Sequence, residues 1–290
     1  MSERLGFKNT MIISIASGKG GTGKTTVAVN LAQSLDGQTP VQFLDCDVEE
    51  PNAYFFLKPR ILQSKSVFLP VPKIIEEKCT YCGICAEVCA YNAIAVLKAN
   101  VLVFPELCHG CGGCSLLCPE QAIREKGKRI GVIELGEAQN ISFLHGKLEI
   151  GEAMSPPLIR AVKTHINATQ VVIIDAPPGT SCPVIEAVKG SDVSLLVTEP
   201  TPFGFNDLCL AVETLRELKI PFGVVINRSD IGNRQVQDYC QRENIPVLMT
   251  IPMDRNIAVA YSEGHTIVET QPAYKKKFLE LFERVKELKK

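Results

Sequence analysis

Eight cysteines fall in two matched runs, Cys79, Cys82, Cys85, Cys89 and Cys108, Cys111, Cys114, Cys118, each spaced C-x2-C-x2-C-x3-C. The runs are offset by 29 residues, and their flanks match too: CTYCGICAEVCAYNAIAV aligns with CHGCGGCSLLCPEQAIRE, Ala-Ile pairs included. This is an internal duplication. Three thiolates at three-residue spacing in a glycine-containing loop can hold three corners of a four-iron cubane, and the fourth, on the short helix that follows, points to the other cluster. The spacing therefore predicts two [4Fe–4S] clusters with crossed ligation, one on Cys79, Cys82, Cys85 and Cys118, the other on Cys108, Cys111, Cys114 and Cys89. Zinc sites use paired knuckles with a long spacer instead, and disulfides conflict with a reducing compartment. The module has too little apolar mass to fold well alone, so metal must supply much of its stability. His109 lies between two ligands and, with all eight positions filled, is expected to be an exposed bystander.

A second chemistry precedes this one. In MIISIASGKGGTGKTTVAVNLAQSL a short apolar strand runs through a glycine-rich loop into an amphipathic helix, and Gly18 to Thr25 fits G-x-x-x-x-G-K-[ST]. Backbone N–H groups around Gly20, Gly21, Thr22 and Gly23 would cradle the phosphates of ATP or ADP at the helix start. Lys24 should reach the β- and γ-phosphates, Thr25 should ligate Mg2+, and Thr26 should contact the α-phosphate. A dinucleotide fold is the rival reading, but the G-x-G-x-x-G pattern and its acid at the next strand are not matched.

The extra lysine, Lys19, makes KGGTGKT similar to the deviant Walker A motif of Min-type, Mrp-type and nitrogenase-iron-protein ATPases. That resemblance implies a nucleotide-dependent homodimer in which Lys19 reaches the other subunit's phosphates; spacing alone also allows a solvated loop lysine. VQFLDCDVEEPN is similar to the family's switch I, which implies that Asp47 orients the attacking water and Asp45 supports the Mg2+ shell. VVIIDAPPGT is similar to the Walker B and switch II segment, which implies that Asp175 holds Mg2+ through water and Gly179 senses the γ-phosphate. FGVVINR places Asn227 and Arg228 where that family reads the adenine edge, and IPMDRNIAVAYSEG, with Pro252 and Asp254, resembles its late base-side loop. The likeness covers residues 9–60 and 128–285. The cysteine module resembles bacterial-type ferredoxins over 71–126, departing at Ala90, where that family has proline.

Apolar strand-like runs at 11–16, 41–45, 171–175, 193–197, 222–226 and 247–251 alternate with helix-like segments. The expected fold is α/β, a mostly parallel P-loop NTPase sheet with helices on both faces, plus an inserted small α+β ferredoxin-like domain. The division is 1–70 for the first ATPase part, 71–126 for the insert and 127–290 for the second part, with 61–77 and 124–131 as linkers. The last helix carries Tyr274, Phe278, Leu281, Val285 and Leu288 on one stripe. Such a stripe can lie on a membrane or dock on the core, and docking is the preferred reading. Cys209 and Cys240 read as core residues, Cys46 and Cys182 as packing residues within the switches, and His145, His165 and His265 as isolated.

At 290 residues the chain has room for a large core and a small module. Lys+Arg 31 against Asp+Glu 32 gives no global attraction to nucleic acid, and no specific nucleic acid is expected. The apolar run near the N-terminus is too short for a secretory leader, so a cytoplasmic location is expected. Two functions follow. In one, nucleotide-driven dimerisation and switch motion are coupled to electron transfer or metallocluster handling with an unidentified protein partner. In the other, a Min-type positioning ATPase carries clusters that are structural or sense redox state. A transferable-cluster scaffold is disfavoured, because the C-terminal C-x-x-C pair of related scaffolds is absent.

Overall fold

The computed structural model describes residues 11–289. Residues 1–10, on which part of the leader argument rests, and Lys290 lie outside the described residues. In chain order the elements are β1 (Met11–Ala16), α1 (Lys24–Leu35), β2 (Val41–Asp45), α2 (Ala53–Leu57), β3 (Arg60–Ile74), α3 (Ile84–Glu87), β4 (Ile94–Leu97), β5 (Asn100–Val103), α4 (Gly113–Leu116), β6 (Ile123–Ala138) and β7 (Ile141–Leu148). The second half holds α5 (Pro156–Lys163), β8 (Val171–Asp175), α6 (Cys182–Val188), β9 (Val193–Thr198), α7 (Pro202–Glu217), β10 (Phe222–Asn227), α8 (Gln235–Arg242), β11 (Val247–Ile251), α9 (Arg255–Ser262), α10 (Ile267–Thr270) and α11 (Ala273–Leu288).

One sheet has the order β11-β10-β9-β1-β8-β2-β7-β6-β3, parallel from β11 to β7 and antiparallel at β6 and β3. Strands β2, β8 and β9 are buried along their whole length. Helices cover both of their faces, so these strands are written as continuous apolar runs, without alternation. Ile13, Ile15 and Phe43 point into one core with α1 and α11, while Leu44, Ile174 and Leu196 point into the opposite core with α5 to α8. The six strand-like runs seen in the sequence are all strands, and the mostly parallel α/β fold is present as expected.

The two expected linkers are not linkers. Residues 61–74 of the first and all of the second lie in long strands, β3 and β6, which pair from Arg60↔Glu137 to Ile74↔Ile123. At about 3.4 Å per residue this ribbon runs, with register shifts at Ile61/Gln63 and Val67/Phe68, from the main sheet to the cysteine segment, and the expected boundaries at 71 and 126 fall inside it. Pro70 and Pro72 are tolerated because β3 is the edge strand and has no outer neighbour to donate to. In β6, a Cβ at Gly131 would lie 2.4 Å from the Lys147 carbonyl oxygen, so only glycine lets β7 approach there.

Between the ribbon ends the chain repeats itself in three dimensions. Left-handed backbone occurs at Tyr81, Gly83 and Asn92, and again at Gly110, Gly112 and Gln121, 29 residues on in each case. The β4–β5 pair Ile94↔Val103 has its counterpart in Ile123↔Ile74 at the ribbon end. The duplication seen in sequence is therefore a duplication of backbone conformation.

The last helix, α11, buries Tyr274, Phe278, Leu281, Phe282 and Val285 against the core shared with α1. The stripe is docked, and among the described residues no helix is long and apolar enough to cross a membrane. Phe278 is fully buried. Phe278→Ala is expected to lower stability by about 3–5 kcal/mol, read as a reduced urea midpoint at unchanged slope; a change below ~1 kcal/mol would mean that α11 is peripheral.

Candidate functional site

A cleft of about 410 Å³ opens at the carboxyl ends of the parallel strands. It starts at the loop between β1 and α1. Gly21 and Gly23 have φ of 79° and 91°, and a Cβ on Gly23 would sit 2.4 Å from Asn227 Nδ2, so glycine is required there by both conformation and space. No side chain caps α1. Its first N–H groups are therefore left for an anion, as the phosphate-loop motif demands. Gly20, Gly21, Gly23, Lys24, Thr25 and Thr26 line the cleft. Thr22 is buried behind it, its carbonyl accepting from Asn227 Nδ2 at 2.9 Å. Lys19 lies half-exposed outside the lining, on a turn where Ser17 Oγ donates to its carbonyl at 2.7 Å.

Three acids meet the lysine at the floor. Lys24 Nζ lies 3.1 Å from Asp175 Oδ1 and 3.5 Å from Asp47 Oδ2, and Thr25 Oγ1 donates to Asp175 Oδ2 at 2.6 Å. Burial opposes the charge on Lys24, yet the carboxylates of Asp175, Asp47 and Asp45 outweigh it, and the lysine is held above its usual value. Asp45 is fully buried, and burial, with the charge of Asp175, pushes it up. Both of its oxygens are occupied by backbone: Oδ1 accepts from Asp47 N, and Oδ2 from Asn52 N and Ala53 N, each at 3.1 Å. Asp45 is thus turned to the loop that carries Asp47 and to the start of α2, and a place in the Mg2+ shell would be indirect. Burial raises Asp47 to about 6 despite the neighbouring Lys24.

The other end of the cleft holds Asn227, Arg228, Pro252 and Asp254. Asn227 braces the phosphate loop as described and accepts from Arg228 N at 3.0 Å, so much of its amide is already engaged. Arg228 pairs with Glu199 at 2.7 Å, and Asp254 caps α9 by accepting from Asn256 N at 2.7 Å. Within the base-side stretch 251–264, sequence reasoning singled out Pro252 and Asp254 but not Ile257, Ala258 and Tyr261 of α9, which line the same cleft; Tyr261 lies tilted on Phe56 of α2 with centroids 4.7 Å apart. The apolar face of α9 was the available signal, hidden because it reads like any core stripe. His145 is not isolated either: it is buried, 2.7 Å from Glu134 Oε2, with its ring edge-on to Tyr54. Cys46 is buried, and burial pushes its thiol up, which makes it an inert packing residue.

The eight cysteines of the duplication surround two small cavities. Cys79, Cys82, Cys85 and Cys118 line one, and Cys89, Cys108, Cys111 and Cys114 line the other. Backbone N–H groups of Ala93, Gly110 and Ala122 point at Cys89, Cys108 and Cys118 sulfurs at 3.3, 3.4 and 3.3 Å. Among the described residues no group of three or more His, Cys, Asp or Glu side chains closes around a single metal ion. His109 is not the exposed bystander expected: it is half-buried, and its ring stacks on Tyr91 at 3.5 Å and 8°.

The CbiA family model, described as the CobQ/CobB/MinD/ParA nucleotide binding domain, matches residues 13–267. This chain belongs to that family. A similar chain is the uncharacterized protein MJ0578 of Methanocaldococcus jannaschii, 31% identical over 281 residues, covering 96% of this chain and 97% of that one. The iron-sulfur cluster carrier protein of Pyrococcus horikoshii is 26% identical over 297 residues, covering 94% and 84%. Among solved structures, the septum site-determining protein MinD of P. horikoshii, complexed with Mg-ADP, superposes with a TM-score of 0.61 at 21% identity, covering 96% of both chains. The MinD-type fold and nucleotide-binding class are thereby established for this chain.

Proposed function

We propose that this protein is a Mg2+-dependent ATPase, active as a nucleotide-dependent homodimer, that carries two retained [4Fe–4S] clusters and couples its switch motions to electron transfer or metallocluster handling with a protein partner. One observation carries the cluster reading: eight cysteines converge crosswise on two cavities in a chain whose remainder is a MinD/ParA-type nucleotide domain. Four cysteines at each cavity match a cubane, in which each thiolate binds a different iron, and their triplet spacing is not that of paired zinc knuckles. The N–H groups of Ala93, Gly110 and Ala122 aimed at Cys89, Cys108 and Cys118 would donate to the sulfurs of a bound cluster's ligands. The name of the P. horikoshii carrier supports metallocluster handling, while full cysteine ligation of both sites favours retention over transfer. When bound, such clusters supply one-electron chemistry.

In the nucleotide half, Lys24 and the N–H groups of the loop would bind the phosphates, Thr25 and Asp175 would hold Mg2+, and Asp47 would orient the attacking water. Lys19, outside the cleft of its own chain, would serve a second copy. A positioning ATPase anchored by its last helix is less well supported, because the apolar stripe of α11 is already buried.

Anaerobically purified protein should contain about eight Fe per chain and show a broad band near 400 nm; a colourless zinc protein would overturn the cluster reading. A second test reads Asp47. kcat/KM for ATP, which reports the free enzyme, should fall as pH drops through about 6, where Asp47 takes up its proton and stops accepting from water. Asp47→Asn should lower the rate by about 10²–10⁴-fold and remove that acid limb. An unchanged profile would take Asp47 out of the mechanism.

A further inference from the structure

We infer that nucleotide state is transmitted through α5 to the second cysteine site, Cys89, Cys108, Cys111 and Cys114, with Arg160 and Lys163 as positioning residues and the first site outside this path. The inference rests on the ATPase and cluster reading above and adds which of the two sites nucleotide addresses.

The path begins at the phosphate loop. Asp175, at the end of β8, contacts Thr25 and Lys24. Just beyond, Pro178 lines the nucleotide cleft and Gly179 N donates to Ser17 O at 2.9 Å. The first rigid element after these residues is α6, and α5 grips its far end. Lys163 Nζ donates to the carbonyls of Glu186, Ala187 and Lys189 at 2.6, 2.9 and 2.6 Å, satisfying carbonyls that a helix end leaves orphaned. Arg160 Nε and Nη2 meet the two oxygens of Glu186 at 3.3 and 3.1 Å, a fork geometry that fixes direction. With both grips made, a shift of α6 carries α5 along instead of sliding past it.

The apolar side continues the link. Val184 and Ala187 of α6 share one core with Leu158 and Val162 of α5, and that same core includes Ala93 and Cys108, with Cys89 packed at its margin. Two of the four cysteines of the second site thus lie on the core that the switch helix occupies, whereas none of Cys79, Cys82, Cys85 and Cys118 does. Beside that core Tyr91, two residues after Cys89, stacks on His109 between Cys108 and Cys111, so the second site is braced as one unit. Close-packed interiors pass displacement on as discrete shifts.

Hydrogen exchange on the full chain, purified anaerobically, tests this with and without Mg2+ and a non-hydrolysable ATP analogue. The analogue should alter exchange in the phosphate loop, α6, α5 and residues 108–114, and leave 79–85 unchanged. In Arg160→Gln, a surface change that should not impair folding, and in Lys163→Met, the response should persist in the phosphate loop and α6 and be lost at 108–114. Lys163→Arg should restore it, as should the charge swap Arg160→Glu with Glu186→Arg; a merely structural role would not give that rescue. A response reaching 79–85 equally, one surviving at 108–114 in both variants, or none at 108–114 in wild type whose phosphate loop is protected would each overturn the inference. Iron measured on the same samples separates the two readings. Transmission without iron defeats the cluster assignment and leaves the path standing, and full iron without transmission does the reverse.

Discussion

Lys24→Met is expected to lower ATP turnover by about 10²–10³-fold, the loss typical when one preorganised donor to a developing charge is removed. The same substitution should also destabilise the protein before any nucleotide is added. Lys24 lies 3.1 Å from Asp175 and 3.5 Å from Asp47, with its ammonium and Asp175 nearly or wholly out of water, and Asp45 is buried beside them. Removing the one cation leaves buried carboxylates facing each other, which costs about 3–5 kcal/mol for a broken buried pair, less whatever is recovered when an acid takes up a proton instead. The sign with pH follows. An acid whose folded pKa is raised binds more protons in the folded state, so its favourable contribution is present at low pH and is lost as pH rises. Asp47 already stands at about 6 with the lysine in place, and without it the acids rise further. The deficit of Lys24→Met should therefore be greatest well above pH 6, shrink as pH falls toward about 6, and level off below it, where Asp47 is protonated with or without the lysine. Urea titrations at pH 5 and pH 8 read this directly. A variant that turns over ATP within tenfold of the parent, or whose deficit grows on acidification, would sink this account of the floor of the cleft.

Cys89→Ser should strip iron from the site of the second repeat, although Cys89 belongs to the first. The two cavities explain why: Cys89 lines the one shared with Cys108, Cys111 and Cys114, and Cys118 lines the one shared with Cys79, Cys82 and Cys85. About half the iron should remain. Under anaerobic alkylation followed by mass mapping, Cys108, Cys111 and Cys114 should become reactive while Cys79, Cys82 and Cys85 stay protected. Cys118→Ser should give the mirror pattern. Because bound metal contributes directly to the folding of so small a module, protease cleavage within 104–115 should also rise in Cys89→Ser. Exposure of Cys79, Cys82 and Cys85 in Cys89→Ser would mean that each repeat keeps its own cluster.

How much was legible in the sequence depended on how local each signal was. The phosphate loop is a run of backbone conformations set by its own glycines, so GKGGTGKT announces it without reference to the rest of the chain. Strands β2, β8 and β9 are buried on both faces, and they appear as unbroken apolar runs for that reason. The cysteine spacing is likewise local, and the 29-residue repeat carries its left-handed positions with it. The ribbon failed to register because most of β3 and the outer half of β6 are exposed, so neither strand shows an apolar alternation over that length. Its prolines and glycines, which mark linkers elsewhere, are tolerated here at a sheet edge and at close strand approaches.

What tertiary structure alone decided was adjacency between parts far apart in the chain. Tyr261 faces the nucleotide cleft because α9, although it follows the edge strand β11, packs beside α10 and α10 packs on α1, and no spacing within residues 255–262 could say so. His145 meets Glu134 because β6 and β7 are antiparallel in that register. The sequence by itself determined a nucleotide-binding α/β protein with a duplicated set of cysteines, since both are written in short-range patterns. Which cysteine site joins the core shared by α5 and α6 was decided only by long-range pairing of β3 with β6, because the direction in which that ribbon presents its far end depends on contacts between residues more than sixty positions apart at its base.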